Sequence, residues 1–146
     1  MQTFLPYQDF SQSAKCLDTK RLGKQRVETL QILNTITGKS IAWRNHPAVL
    51  MWKNNPIELC LYGMAICDEW IKRGYKDTTK PKIQSILDSL QLKFKPQTIF
   101  WLNEDFIRSH RSNLLRKNKE WYSQFTWNMP DNLPYHWPIK INNHNT

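Results

Sequence analysis

The sequence of residues 17–28 is LDTKRLGKQRVE, and its apolar and charged residues are sorted by angle around a helix. At about 100° per residue, Leu22, Leu30 and Leu33 fall on one side and predict a buried face. A second stripe beside this face holds polar residues that suit acid–base chemistry: Asp18, Arg21, Gln25 and Glu28. The segment therefore predicts the first turns of a long amphipathic helix.

Arg26 falls inside the apolar face of this helix. Because a guanidinium stays charged at any ordinary pH, it must meet a carboxylate, carbonyl groups or a phosphate. Two interpretations stay open. Arg26 either forms a structural ion pair with Glu28, Asp18 or a residue of another helix, or it lines a working pocket.

The composition indicates a single domain with a polyanionic partner. The 146 residues include 21 Lys and Arg against 12 Asp and Glu, which gives a net charge of +9. Nucleic acid is the commonest partner of so basic a protein. No apolar run has the length of a membrane span, and we expect a monomeric cytoplasmic protein of a bacterium or a phage-infected cell. Three well-separated cysteines, Cys16, Cys60 and Cys67, predict buried free thiols.

Capping residues and apolar spacing predict an all-α fold, because strand-type alternation is nearly absent. The predicted helices are 9–16, 18–37, 47–52, 55–74, 81–90 and 104–118, with one or two further turns after residue 119. The proline-containing segment 129–138 cannot hold a helix and should wrap over the core. The sequence thus predicts a single compact helical domain, residues 1–146, with an irregular C-terminal arm and a loose tail at 142–146.

Histidines are the first candidates for a metal site, but their surroundings do not favour one. The four are His46, His110, His136 and His144, and neither a C-x-x-C nor an H-E-x-x-H motif accompanies them. We therefore expect no metal and no cofactor. His110 shares a helix face with Ile107 and Leu114, which favours a core position, whereas His46 precedes a helix start, where it could donate to a phosphate or act as an acid.

A basic helix and an aromatic segment follow one another near the C-terminus. Residues 108–117 are RSHRSNLLRK, and Arg108, Arg111 and Lys117 predict a phosphate-binding surface. The alternative is a solvated helix whose cations complement its own dipole. The rings at 121–127 suit either a nucleobase that has left its stack or packing in the core.

With these residues in view, the chain resembles the pyrimidine-dimer DNA glycosylase family of the endonuclease V superfamily, and a bacterial and viral branch of it most closely. The blocks that carry the resemblance are MQTFLPY (1–7), LDTKRLGKQRVE (17–28), WRNHPAVLMW (43–52), CDEWIKRGY (67–75), SHRSNLLRK (109–117) and NLPYHWP (132–138). The resemblance implies an all-α domain that binds double-stranded DNA, flips a nucleotide and cuts the glycosidic bond. In that family an N-terminal amine attacks the sugar and forms a Schiff base, while a glutamate on the first long helix stabilises the cationic sugar.

Two departures leave the catalytic pair open. The family's amine belongs to a threonine exposed by methionine removal, but this chain begins Met1-Gln2, and Gly23 stands at the simplest aligned position of the glutamate. The nucleophile could be the Met1 amine or a lysine such as Lys20 or Lys24, and the carboxylate Glu28 or Asp18. A glycosylase that uses an activated water would need only the carboxylate.

We therefore expect a DNA glycosylase, with or without an abasic-site lyase step, that removes a damaged or modified base. The alternative is a non-catalytic protein that binds nucleic acid or a nucleotide on the same scaffold. The expected catalytic residues are Glu28, Asp18 and Met1. The expected DNA-binding residues are Arg21, Lys24, Arg26, Arg44, His46, Arg108, His110, Arg111 and Lys117.

Overall fold

A computed structural model describes residues 1–139, and all of its regular elements are helical. They are α1 (Phe10–Cys16), α2 (Thr19–Ile36), α3 (Pro47–Trp52), α4 (Pro56–Lys72), α5 (Lys80–Gln91), α6 (Glu104–Lys117), α7 (Lys119–Tyr122) and a 3-10 helix (Ser123–Phe125). The predicted all-α class is confirmed, and most predicted boundaries agree within two residues. The predicted loose tail, and His144 with it, lie outside the described residues.

Helix α4 packs against α1, α2 and α5 and forms the centre of the fold. Leu22 and Leu33 of α2 are fully buried, as the helical angles predict, whereas Leu30 is half-buried. Gly63 of α4 allows the close approach of α2, because a Cβ there would come within 2.7 Å of Thr29 Cγ2. A larger residue at position 63 would push α4 away from α2, the helix that carries the polar stripe.

Of the predicted capping residues, Asp9 and Asn103 form capping bonds, whereas Asp18 and Asn55 stand at N-cap positions without one. Asp9, His46 and Asn103 accept hydrogen bonds from backbone N–H groups in the first turns of α1, α3 and α6. Asp18 stands at the N-cap position of α2, but its carboxylate makes no capping bond. Instead it accepts hydrogen bonds from the Tyr122 hydroxyl and the Arg21 guanidinium. At the other end of α2, Gly38 adopts a φ of 87° and stops the helix as predicted.

The first residues of the chain run through the core instead of over it. Thr3 and Leu5 have no exposed surface. Trp52 Nε1 donates to Thr3 Oγ1 at 2.8 Å, and the Leu5 N–H donates to His110 Nδ1 at 3.1 Å. The N-terminal segment is therefore held in place by α3 and α6.

The arm after residue 126 is irregular, as the sequence predicts, and it lies along α6. Ser112 Oγ donates to Pro130 O at 2.7 Å and accepts from the Leu133 N–H at 3.0 Å. Ser109 Oγ accepts from the His136 N–H one turn away, at 3.1 Å. These hydroxyl groups satisfy the backbone of a segment that has no regular structure of its own.

Cys16, Cys60 and Cys67 are buried and free, which confirms the prediction. Burial raises the pKa of each thiol to about 12, so all three stay protonated at neutral pH. Across residues 1–139, none of the helices combines the length and the apolar character needed to cross a membrane.

Candidate functional site

The N-terminal residue lies beside the polar stripe of α2. The Gln2 N–H donates to Glu28 Oε2 at 3.1 Å, and Gln25 Nε2 donates to Gln2 O at 2.7 Å. One residue of extended chain spans at most about 3.6 Å, so the Met1 amine lies within roughly 7 Å of Glu28 Oε2. The structure thus brings together Met1 and Glu28, two of the three predicted catalytic residues.

Gln25 orients this arrangement, a role that the sequence did not reveal. Its Oε1 accepts from the Phe4 N–H at 3.0 Å and from the Tyr62 hydroxyl at 2.8 Å, while its Nε2 also lies 3.4 Å from Glu28 Oε2. Because both ends of the amide are bonded and the side chain is buried, Gln25 has one orientation. The sequence feature that could have indicated this role is the position of Gln25 in the polar stripe, between Arg21 and Glu28.

His46 lies close to the amine and the carboxylate. Burial and the positive charge of the Met1 amine lower its pKa, while the Glu28 charge opposes this shift. Nδ1 accepts from the Ala48 N–H at 3.0 Å, so the neutral ring carries its proton on Nε2. His46 thus contributes an N–H donor near the Met1 amine and Glu28.

Four cations form a cluster beside this site, and we call Arg21, Lys24, Arg116 and Lys117 the cationic cluster. Partial burial lowers the pKa of Lys117, and the charges of the other three members lower it further. The charges of the cluster and of Glu28 both act on Tyr135. Its pKa is raised to about 12 by burial, with Arg116 and Arg21 lowering it and Glu28 raising it. A cluster that raises the local positive potential beside a carboxylate suits a phosphate-bearing substrate.

Glu28 also borders an open groove of about 550 Å³ on the outer side of α2. Lys20, Lys24 and Trp70 line the same groove. A deeper cavity of about 870 Å³ is lined by the end of α2, the start of α4 and the 93–97 loop. None of the predicted site residues lines this cavity. The surface near Glu28 is therefore accessible, whereas the larger cavity belongs to another part of the molecule.

Arg26 faces away from this site. Its Nη1 lies 2.5 Å from Asp77 Oδ1, and its guanidinium carbon lies 4.4 Å from the Trp70 ring centre. Burial opposes ionisation of Asp77, but hydrogen bonds from the Lys80 backbone and from Arg26 outweigh it and lower the pKa of the carboxyl. Arg26 is thus a structural ion-pair residue, and its partner lies in the loop after α4 and not at any of the predicted positions. The expected contact with DNA has no support in this geometry.

The assignment of His110 to DNA binding is wrong, because its side chain has no exposed surface. Its ring stacks on Phe106 at 4.0 Å between centres and accepts the Leu5 N–H. Burial lowers its pKa to about 3, so the ring is neutral at physiological pH. The core position indicated by Ile107 and Leu114 is the one observed.

Helix α6 does not present its cations on one surface. Arg111 Nε donates to Pro6 O at 2.7 Å, and its guanidinium covers the rings of Tyr7 and Trp127, so it joins the N-terminal segment to the arm. Arg108 is exposed. Because it precedes Lys117 by nine residues, the two side chains lie roughly 180° apart around the helix. Of the cations predicted to bind phosphate on α6, Lys117 is the one that joins the cationic cluster.

The two remaining candidates differ in accessibility. Arg44 is exposed in the loop between α2 and α3, two residues before His46. Asp18 is buried, with its carboxylate held by Tyr122 and, at 3.0 Å, by Arg21. Burial, with the bond to Asp18, raises the pKa of the Tyr122 hydroxyl, which keeps its proton and donates it in this bond. Asp18 therefore has a structural environment, whereas Glu28 lies beside the N-terminal segment and borders the open groove.

No group of three or more His, Cys, Asp or Glu side chains within residues 1–139 could hold a metal ion. The candidate site within these residues consists of the Met1 amine, the Glu28 carboxylate, the His46 imidazole and the cationic cluster.

Comparison with known proteins gives one family. A family model described as pyrimidine dimer DNA glycosylase matches residues 1–84, more than half of the chain. The match contains Met1, Glu28 and His46 and ends before α6. No curated protein and no solved structure matches the chain. The chain belongs to the pyrimidine dimer DNA glycosylase family, which indicates a glycosylase-type function on DNA.

Proposed function

We propose that this protein removes a damaged or modified base from double-stranded DNA, with the Met1 amine as nucleophile and Glu28 as the carboxylate that stabilises the sugar cation. The observation that carries the proposal is the hydrogen bond from the Gln2 N–H to Glu28 Oε2. It fixes the first peptide unit against the carboxylate, next to a cluster of cations. Family membership supplies the class of reaction.

The chemistry suits an α-amine. Such amines titrate near pH 8, so a fraction is unprotonated at neutral pH, whereas an ordinary lysine is almost fully protonated. The amine lone pair forms a bond to C1′ of the sugar, and the electrons of the C1′–base bond leave with the base, which takes up a proton. Loss of the amine protons and opening of the C1′–O4′ bond, with protonation of O4′, then give an imine between Met1 and C1′.

Glu28 acts on the charge that develops during this step. As the base departs, C1′ becomes positive, and a fixed carboxylate nearby lowers the energy of that state more than that of the bound substrate. Gln25 holds the carboxylate and the N-terminal segment in register through its amide. The preorganisation therefore comes from α2 itself.

The cations have a separate role in this proposal. Arg21, Lys24 and Lys117 neutralise phosphates on either side of the flipped nucleotide, and Arg44 extends the same surface. His46 offers its Nε2–H to a phosphate or to the departing base. All these groups come from one chain, so we expect the protein to act as a monomer.

Borohydride trapping on DNA with an abasic site tests the amine. We expect a covalent protein–DNA adduct, since reduction fixes the imine, and we expect acetylation of the N-terminus to abolish it. Lys20→Arg and Lys24→Arg serve as matched controls and should keep the adduct. An adduct that survives acetylation and disappears in either lysine variant would show that a lysine is the nucleophile.

The second candidate function is DNA binding without chemistry on the same scaffold, which is favoured by Met1 standing in place of the family's threonine. It predicts tight binding of double-stranded DNA with neither an adduct nor base release. Base release without an adduct would instead indicate an activated water, with Glu28 as its base.

A further inference from the structure

Trp43 combines an unusual backbone with an exposed ring. It adopts a φ of 63°, in the left-handed region that residues other than glycine seldom occupy. Its side chain is 55% exposed. A large aromatic ring is thus held towards solvent at a position where the backbone conformation is unfavourable.

The surrounding loop holds this conformation through hydrogen bonds. Thr35 Oγ1 donates to Ala42 O at 2.6 Å, and the Ala42 N–H donates to Ser40 Oγ at 3.0 Å. On the other side, the His46 N–H donates to Trp43 O at 2.8 Å. Trp43 therefore lies between anchored neighbours.

The ring lies beside the proposed active site. Its centre is 6.1 Å from that of His46, which is 6.3 Å from Trp137 on the arm, and Tyr135 follows 5.8 Å further along. We call these four rings the aromatic row. Its middle members are His46 and Trp137, and Tyr135 forms the end opposite Trp43. The charge of Glu28 acts on the pKa of both His46 and Tyr135. Trp43 is its exposed outer member.

An exposed aromatic ring can stabilise DNA from which a nucleotide has been flipped. Removing a nucleotide from the duplex costs free energy in lost stacking and pairing. An aromatic side chain that stacks on a base recovers part of this cost, and any base offers a suitable face. An exposed indole on this hydrogen-bonded loop, next to the proposed reacting groups, can fill the gap that the flipped nucleotide leaves.

We propose that Trp43 enters the base stack of double-stranded DNA and occupies the space vacated by the flipped nucleotide. This inference rests on the proposed function, because it assigns a task at the same site. It goes beyond the proposed function by naming the residue that stabilises the extrahelical state of the nucleotide.

The test uses a duplex with a stable tetrahydrofuran abasic analogue flanked by 2-aminopurine, whose fluorescence rises when its stacking is lost. The full-length protein should change this emission on binding. Trp43→Ala should remove most of the change, and Trp43→Phe should keep part of it. Trp43→Gly suits the positive φ and should behave like Trp43→Ala, which separates loss of the ring from backbone strain. Ile41 is 79% exposed in the same loop, so Ile41→Ala is the matched control and should resemble the wild type.

Trapping rates on abasic DNA provide a second measurement. Trp43→Ala should trap about tenfold more slowly on duplex DNA, whereas on single-stranded DNA it should equal the wild type because no stack has to be entered. Equal emission and equal duplex rates for Trp43→Ala and Ile41→Ala would overturn this inference. An absent emission change with the wild type would overturn it too. If the wild type still forms the adduct on single-stranded DNA in either of these outcomes, the proposed amine chemistry is retained. If the wild type forms no adduct on any DNA, that chemistry is contradicted.

Discussion

The N–H of Gln2 lies 3.1 Å from Oε2 of Glu28, although 26 residues separate them in the sequence. This contact places a carboxylate beside the N-terminal segment, although Gly23 stands at the simplest aligned position of the family's glutamate. Gly23 precedes Glu28 by five residues, roughly 140° around α2, and a Cβ built on it would come within 3.0 Å of Trp70. A glutamate at position 23 would face Trp70, whereas a glutamate at position 28 faces the N-terminal segment. The carboxylate is therefore found on the side of the helix where the amine lies.

Glu28→Gln should reduce base release about 100-fold or more and leave the melting temperature within a few degrees of the wild type. The amide oxygen can still accept the Gln2 N–H, but a neutral group cannot stabilise a developing cation. Single-turnover base release and thermal melts on the same preparation decide this. Asp18→Asn is the matched control, and its larger effect should be on stability because it weakens the contacts to Tyr122 and Arg21. A Glu28→Gln protein that melts far lower while its folded fraction keeps full activity would refute the catalytic assignment.

Arg26→Ala should destabilise the fold without changing the chemistry. Removing the guanidinium leaves Asp77, whose side chain has no exposed surface, without its ion-pair partner. Loss of one partner of a buried pair typically costs about 3–5 kcal/mol. Chemical denaturation measures this cost, and the double variant Arg26→Ala/Asp77→Asn should recover part of it. A fully stable Arg26→Ala protein with slow base release would restore the pocket interpretation.

Lys24→Ala and Lys117→Ala should each lower the slope of log affinity against log salt concentration by about 0.9, because each removes one phosphate contact. Affinity should fall to a similar extent for duplexes of different sequence. Arg108→Ala removes the same charge from the opposite side of α6 and should leave the slope unchanged. If Arg108→Ala alone lowers the slope, the DNA path runs over the other face of α6.

The helical positions could be predicted from sequence because capping residues and apolar spacing are local. The stripe that joins Arg21, Gln25 and Glu28 follows from angle alone, and the Arg21–Asp18 and Gln25–Glu28 contacts confirm it. The partner of Arg26 could not be predicted in this way. Asp77 lies 51 residues away in a loop, and only the packing of α4 against α2 brings the two together.

The block at 109–117 shows a second limit. Its composition suggested phosphate binding, because two arginines, a lysine and neutral donors follow one another. In the structure Ser109, Ser112 and Arg116 instead bind backbone atoms of the C-terminal arm. The same donors satisfy either a phosphate or an irregular backbone, and the sequence does not distinguish the two acceptors.

The buried neutral ring of His110 should make the fold less stable as the pH falls from 7 to 5. Its pKa drops from 6.5 to about 3 on folding, so below pH 6.5 the unfolded chain binds a proton that the folded chain does not bind. Stability is thus complete above the unfolded pKa and is lost towards pH 3, by at most ~1.4 kcal/mol per pH unit. Urea denaturation at a series of pH values measures this slope. His110→Asn keeps an acceptor for the Leu5 N–H but cannot titrate, so its slope should be smaller, whereas the exposed His136→Asn control should keep the slope of the wild type. Equal slopes for the wild type and His110→Asn between pH 7 and 5 would mean that His110 becomes protonated in the folded protein, against its placement in the core.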